Sequence, residues 1–333
     1  MRPSTTFFTV ADERFFPGVV CLLNSLRLSG NDAELVILDV GLNADQRQRL
    51  GPHARLVELP EELREEHLLL KSFPHTLDPQ GTVVVIDSDM IVTRSLDPVL
   101  EQVEDGKVCM FADIEDQRDR FIPEWQEAFA LAAPLRRQHY MNAGFIAFST
   151  RHWPDLLRRY WELCRSIPSE RTLVGACDYD QPYWGGDQDA INALLMSEVD
   201  AEAVVELPQA EGPSPELLHE VRIVDEHTLE CELRGHRPFL LHYWGGPKPW
   251  SRNAWMRVSR DAYVRLMPRV LFAPDAPVPM SPTELPLWLR PGRAGRSLLM
   301  LLSGVNRAAR FALGRAPLRV RRRLAGAIRR VAR

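Results

Sequence analysis

The 333-residue chain reads as an α/β domain with a mainly parallel central sheet and a helical C-terminal tail. Three observations predict this. Short β-rich apolar runs alternate with helical patterns through the first half of the chain. One of those runs, Thr82–Ile86, is apolar and β-branched almost throughout, as a strand covered on both faces should be. Hydrophobic residues make up 45% and charged residues 26%, which excludes a disordered, collagen-like or multi-span membrane chain.

Residues 6–10 are expected to form the first strand. Pro17 opens a helix carrying Val20, Leu23, Leu26 and Leu28 on one side and stopping at Gly30. Residues 35–40 follow as a strand, Ala44–Leu50 as a helix and 55–59 as a third strand. After Thr82–Ile86 come strand-like Val108–Ala112 and residues 144–148, then helices near 154–164 and 187–196. Residues 207–237 are poorly patterned, broken early by Pro208, Pro213 and Pro215, and are expected to be loops and short strands. The proline-rich stretch 274–291 reads as a linker. The chain is accordingly divided into a body, residues 1–284, and a tail, residues 285–333.

Charge sharpens that division. The formal net charge is −4, but residues 285–333 hold 13 arginines and no lysine, aspartate or glutamate, leaving 28 basic against 45 acidic groups in the body, a formal −17. No charged region leading into an apolar core of signal-peptide length precedes Asp12 and Glu13. The five cysteines are odd in number and lack Cys-x-x-Cys or zinc-ligand spacing. Reduced thiols and a cytoplasmic location are therefore expected.

Asp87 and Asp89 stand at the end of the Thr82–Ile86 strand. If the extended geometry continues, both carboxylates point to one side, where they can share a hard divalent cation. Open α/β sheets bind ligands at the carboxyl ends of their strands. The bare motif is weak, because Asp178/Asp180 and Asp187/Asp189 repeat it, and a solvated turn is the alternative. His242, Gly245, Lys248 and Trp250 form a second constellation that joins an imidazole, a glycine allowing close backbone approach, and one of only three lysines beside 38 arginines. His242 alone is equally compatible with a structural histidine. Asp187, Gln188 and Asp189 follow two glycines and begin a helical pattern, so Asp187 can equally be an N-cap. Asn142, Ala143 and Gly144 lie before a strand and can form a turn.

Taken in order, these segments resemble glycosyltransferase family 8, the retaining transferases that include glycogenin and bacterial lipopolysaccharide galactosyl- and glucosyltransferases. The resemblance runs over about residues 6–250. Val10-Ala11-Asp12 with Phe15 and Pro17-Gly18 resembles the nucleotide loop, Asp87-Ser88-Asp89 the metal-binding Asp-x-Asp, and Asn142-Ala143-Gly144 the segment that meets the donor sugar. Asp187-Gln188-Asp189 with Asn192 resembles Asp-Gln-Asp-x-x-Asn. His242-x-x-Gly245-x-x-Lys248-Pro249-Trp250 matches the family's most specific motif. Two departures are visible. Phe15 stands where many members have Tyr, and Lys71 is the nearest match to a diphosphate-binding Arg.

The resemblance implies a GT-A type nucleotide-sugar-binding domain. Ala11, Asp12, Phe15, Gly245 and Lys248 would bind the nucleotide, and Asp113, Asn142, Ala143 and Asp187 the donor sugar. Asp87, Asp89 and His242 would hold Mn2+ or Mg2+, Mn2+ being favoured by mixed carboxylate and imidazole ligands. Asp187 and Gln188 would serve catalysis, and a hexose would pass from a UDP-sugar to a saccharide or glycolipid acceptor with retained configuration. Two other classes compete: a haloacid-dehalogenase-type phosphohydrolase, which also places Asp-x-Asp after a strand, and a non-catalytic glycan-binding protein of the same fold.

In the tail, Leu298, Leu302, Val305, Ala309 and Ala312 recur at helical spacing, and Val320, Leu324, Ile328 and Val331 form a second stripe among arginines. No apolar run approaches the roughly 20 residues needed to span a bilayer. A cationic amphipathic helix suits an anionic membrane surface, and peripheral attachment to the inner face of the cytoplasmic membrane is expected. Docking on the acidic body is the alternative. Nucleic acid is not an expected partner, since the interleaved residues are aliphatic rather than aromatic.

Overall fold

A computed structural model describes residues 4–173 and 178–315. In chain order the elements are β1 (Thr5–Ala11), α1 (Phe16–Leu28), β2 (Glu34–Asp39), α2 (Ala44–Leu50), β3 (Arg55–Glu58), β4 (Thr82–Ile86) and β5 (Met90–Val92). There follow α3 (Asp97–Glu104), β6 (Val108–Ala112), α4 (Trp125–Ala128), β7 (Met141–Ser149), α5 (Leu156–Arg165), α6 (Asp187–Leu195) and β8 (Val204–Leu207). The chain continues through β9 (Arg222–Asp225), β10 (Glu230–Glu232), β11 (Leu240–His242), α7 (Ala262–Leu271) and α8 (Arg293–Arg315).

The central sheet has seven strands in the order β3-β2-β1-β4-β7-β6-β8. All run parallel except β7, which is antiparallel to both neighbours. The mainly parallel α/β architecture expected from the alternating apolar runs is thus the one adopted. Every residue of β4 is buried, and alternate side chains enter opposite layers: Val84 and Ile86 pack with Phe7 on one face, Val83 and Val85 with Phe8 on the other. Single-residue alternation explains why these strands read as continuous apolar runs.

The segment 142–144 corrects one reading. It does not precede a strand as a turn; it lies inside β7, which begins at Met141. Because β7 runs against β4, its first residues sit beside the carboxyl end of β4, and the Asp87 amide donates to the Gly144 carbonyl at 2.8 Å. Gly144 is required there, since a Cβ would stand 2.5 Å from His242 and 2.8 Å from Met90.

The proline-rich stretch is not a linker. Val278, Met280, Leu285, Trp288 and Leu289 are buried in the same core as α1 and α7. The side-chain amide of Asn24, buried in α1, donates to the carbonyls of Val270 (3.1 Å) and Val278 (2.9 Å), and its oxygen accepts from the Val278 amide (3.0 Å). Proline there terminates regular structure while the intervening apolar residues supply the packing. The expected helix over 298–312 lies within α8, and the second stripe, 318–331, lies outside the described residues. Leu299 is buried and Leu298 and Leu302 pack on the core, whereas Val305 is 55% exposed; the stripe is therefore divided between the body and solvent. Among the described residues no helix is long and apolar enough to cross a membrane.

Replacing Asn24 with Ala leaves the Val270 and Val278 backbone groups buried without partners, at a cost of about 3 kcal/mol. Urea denaturation of Asn24→Ala checks this, and a loss below about 1 kcal/mol would show that the amide does not hold residues 274–291 to α1.

Candidate metal and ligand site

The site is assembled where β4 ends. Asp87 is fixed by its backbone bond to β7, and Ser88 and Asp89 turn the chain into β5. β5 pairs antiparallel with β11, with Met90 opposite His242, and the Tyr243 amide donates to the Asp89 carbonyl at 3.0 Å. The turn between the consecutive strands β4 and β5 and the remote strand β11 therefore deliver Asp87, Asp89 and His242 to one point. Gly18 of α1 allows this turn to pack closely, since a Cβ there would meet the Ser88 carbonyl and the Trp250 ring, each at 2.7 Å.

The three potential ligand atoms lie within 4.8 Å of one another. His242 Nε2 stands 3.3 Å from Asp89 Oδ1 and 3.5 Å from Asp87 Oδ2. Asp89 and His242 are buried, and among the described residues Asp89 Oδ1 and His242 Nε2 have no hydrogen-bond partner. Buried polar atoms left unpaired cost free energy, and one divalent cation would satisfy both atoms together with Asp87. Carboxylate oxygens with one imidazole nitrogen suit Mn2+ or a similar ion. Burial alone would depress the imidazole, but the Asp89 and Asp87 charges outweigh it and push His242 up to about 9. Burial works against ionisation of Asp87, yet Lys71 and His242 hold its carboxyl well below the usual range. Asp89 is lowered against burial by His242 and Lys248. Both carboxylates are therefore available as anionic ligands.

Two of the three lysines close the cluster. Lys71 Nζ lies 3.0 Å from Asp87 Oδ1 and 3.4 Å from Asp187 Oδ2, and donates to the Ala143 carbonyl at 3.3 Å. Its burial is outweighed by Asp87 and Asp187, which raise its affinity for the proton. Lys71, the nearest match to a diphosphate-binding Arg, thus bridges the Asp-x-Asp and Asp187. Lys248 Nζ bonds Asp89 and donates to the Tyr243 carbonyl at 2.8 Å, with the Phe15 ring centre 5.5 Å away.

On the other side of the cluster, Gln188 Nε2 donates to Asp113 Oδ2 (2.6 Å), and Gln188 Oε1 accepts from the Ala143 amide (3.0 Å). Asn142 Nδ2 reaches Asp113 Oδ1 at 3.4 Å, and Asn142 Oδ1 accepts from the Gly144 amide at 2.9 Å. A carboxylate can only accept and a backbone N–H only donate, so both ends of the Gln188 amide are fixed. Burial raises the Asp113 carboxyl despite these bonds.

Asp187 begins α6, but the N-cap position belongs to Gly186, so its carboxylate faces Lys71 instead of capping the helix. Asp189 and Asn192 serve the scaffold. Asp189 forms a fully buried pair with Arg120 at 2.7 Å and accepts from Tyr140 Oη at 2.7 Å, while Asn192 bonds both the amide and the carbonyl of Met141 at 2.8 Å. Arg120 also donates to the carbonyls of Tyr179 and Gln181. Sequence reasoning missed it, because one arginine among 38 carries no distinguishing pattern.

Of these groups Lys71, Asp87, Asp89 and Asp187 border a cleft of about 460 Å³, whose lining also includes Phe15 and Gly245. Asp12 spends one carboxylate oxygen on the amides of Arg14 and Phe15, both at 2.9 Å, fixing the turn that presents Phe15. The Phe15 ring meets Trp250 edge-on at 6.1 Å, and Trp250 Nε1 donates to the Arg14 carbonyl at 2.8 Å. Ala11 is buried in β1, and its carbonyl accepts from the Val40 amide.

No family profile and no curated protein matches the chain by sequence. The fold is similar to that of the galactosyltransferase LgtC, solved in complex with donor and acceptor sugar analogues, with a TM-score of 0.53 and 17% identity over 81% of this chain and 98% of that one. An active-site mutant of LgtC matches with a TM-score of 0.50 and 15% identity over 78% of this chain and 94% of that one. The bifunctional glycosyltransferase WbbM matches with a TM-score of 0.51 and 16% identity over 80% of this chain, which spans half of WbbM. At these identities the fold is what is shared, and it is the GT-A type architecture that the sequence resemblance implied.

Mn2+ at a hundredfold excess over its dissociation constant should stabilise the native chain by about 2.7 kcal/mol, raising Tm by several degrees. Asp89→Asn should lose most of that rise in a thermal melt; an equal rise in both proteins would place the ion elsewhere. Arg120→Met leaves the Asp189 carboxylate buried and unpaired and should cost about 3–5 kcal/mol in denaturant unfolding, whereas Asp187→Asn, at the cleft, should change stability by less than about 1 kcal/mol.

Proposed function

We propose that the chain is a metal-dependent retaining hexosyltransferase that moves a sugar from a UDP-sugar to a hydroxyl of a saccharide or glycolipid acceptor. The observation that carries this reading is the convergence of Asp87, Asp89 and His242 at the carboxyl end of β4, with a buried oxygen and a buried nitrogen that lack hydrogen-bond partners among the described residues lying 3.3 Å apart. The polar network of Asp113, Asn142, Ala143 and Gln188 lies close by, linked through the Ala143 carbonyl to Lys71. The fold shared with LgtC adds support.

In this reading Asp87, Asp89 and His242 hold a divalent ion, which supplies Lewis-acid stabilisation of the diphosphate charge. Phe15 offers a ring for the uracil, and the Gly245 backbone lies at the cleft to approach the phosphates. Lys248 sits beside Asp89, where its ammonium can transfer to the diphosphate as negative charge grows on the leaving group. Lys71 holds Asp187 in place to orient the donor-sugar hydroxyls. Gln188 stands near the anomeric carbon with both amide ends engaged, so it acts by position and dipole rather than as a nucleophile. The acceptor hydroxyl then attacks on the face that the diphosphate leaves, which retains configuration. The basic tail would hold this catalytic body at the anionic inner face of the cytoplasmic membrane, where a lipid-linked acceptor such as a lipopolysaccharide precursor would be met.

Incubation with UDP-hexoses, with and without Mn2+, checks the reaction. UDP release should require the metal and fall at least a hundredfold in Asp87→Asn. Phosphate release from simple esters would instead identify a phosphohydrolase, and metal-dependent glycan binding without UDP release would identify a non-catalytic protein.

A further inference from the structure

A second cavity, of about 680 Å³, lies between α7 and the start of α8, apart from the metal-centred cleft. Its volume is within the range of small-ligand sites. The floor is apolar, with Phe272 and the buried Trp288 and Leu299, and Met300 stands at its edge, 53% exposed. Five arginines line it against a single glutamate, Glu226. Arg265 pairs with that glutamate at 3.3 Å, and Arg269 reaches Asp275 at 3.3 Å while its buried Nε has no partner among the described residues. The exposed guanidinium groups of Arg260 and Arg296 are without a partner in the described structure.

We propose that this cavity binds one phospholipid of an anionic bilayer, with the phosphate between Arg260 and Arg296 and an acyl chain on the Phe272, Trp288 and Leu299 floor. Planar guanidinium groups suit phosphate recognition, and a cationic rim over an apolar floor matches an amphiphile rather than a bare anion. The surface beside the cavity fits the same partner, since Leu301 and Val305 of α8 are 63% and 55% exposed. The chain's own segment 316–333 is disfavoured as occupant because it adds seven arginines and no acidic residue to a rim that is already cationic. The proposal rests on the membrane reading of the tail but assigns a defined site in the folded body.

The test is calorimetry of the full chain with dihexanoyl phosphatidylglycerol below its micelle-forming concentration. One lipid should bind per chain, Arg260→Gln/Arg296→Gln should weaken binding about tenfold or more, and Met300→Gln should weaken it by a smaller factor. Absence of binding, indifference to both variants, or equal affinity for inorganic phosphate would each overturn the site. Sedimentation with phosphatidylglycerol vesicles separates the two readings. Vesicle binding without monomer binding removes the cavity site and leaves the tail as anchor. Monomer binding without vesicle binding shows that the cavity does not take a lipid from a bilayer and overturns the proposal together with the membrane reading.

Discussion

Two carboxylates held side by side at the end of a buried strand repel each other, and three side chains gathered around them answer that repulsion. Asp87 is met by Lys71 and Asp89 by Lys248, while His242 lies between the two. At an effective dielectric of about 20, unit charges 4 Å apart interact by about 4 kcal/mol, so none of these groups is placed independently of the others. The cation for which the geometry is suited would take over part of that balance and let the lysines turn to a diphosphate. In the proposed reading, a repelling acidic pair thereby becomes a means of recognising negative charge. The same requirement accounts for Lys71 spanning to Asp187, because one ammonium shared between two carboxylates ties the Asp87–Asp89 turn to the first residue of α6.

The strand-by-strand outline was legible because hydrophobic periodicity records burial directly. β4 is covered on both faces and every one of its residues is β-branched. The gathering of Asp87, Asp89 and His242 left its trace in the same pattern: Asp87 and Asp89 follow that strand, and His242 ends another apolar stretch. What escaped was pairing. Nothing local distinguishes an antiparallel strand from a parallel one in a buried sheet, so the reversal of β7, and with it the meeting of Asn142–Gly144 with Asp87, was not visible. Arg120 escaped because its meaning lies in long-range partners, Asp189 and the carbonyls of a loop some 60 residues on. The proline-rich stretch was misread because prolines mark the end of helix and strand, not the end of the core; Val278, Leu285 and Leu289 were the better signal.

The tail has two aspects in one helix. Leu298, Leu299 and Leu302 pack on the body, while Leu301 and Val305 face outward. A single apolar stripe would have served only one of those surfaces. Asn306 fastens the helix by donating to the carbonyls of Trp255 and Val258 at 2.9 and 3.0 Å, fixing which face remains outside.

Trp288 donates from its indole nitrogen to the carbonyl of Pro249 at 2.9 Å, one residue from Lys248 and one from the Trp250 that packs on Phe15. The charge pattern invites a cut at residue 285, yet a fragment ending there would lose the residue that props up the Lys-Pro-Trp segment and the apolar cover over α7. Charge and packing thus divide the chain differently, so a fragment chosen by composition would sever a joint that the Lys-Pro-Trp segment relies on. Whoever trims the protein for expression should let the packing decide where the folded body ends.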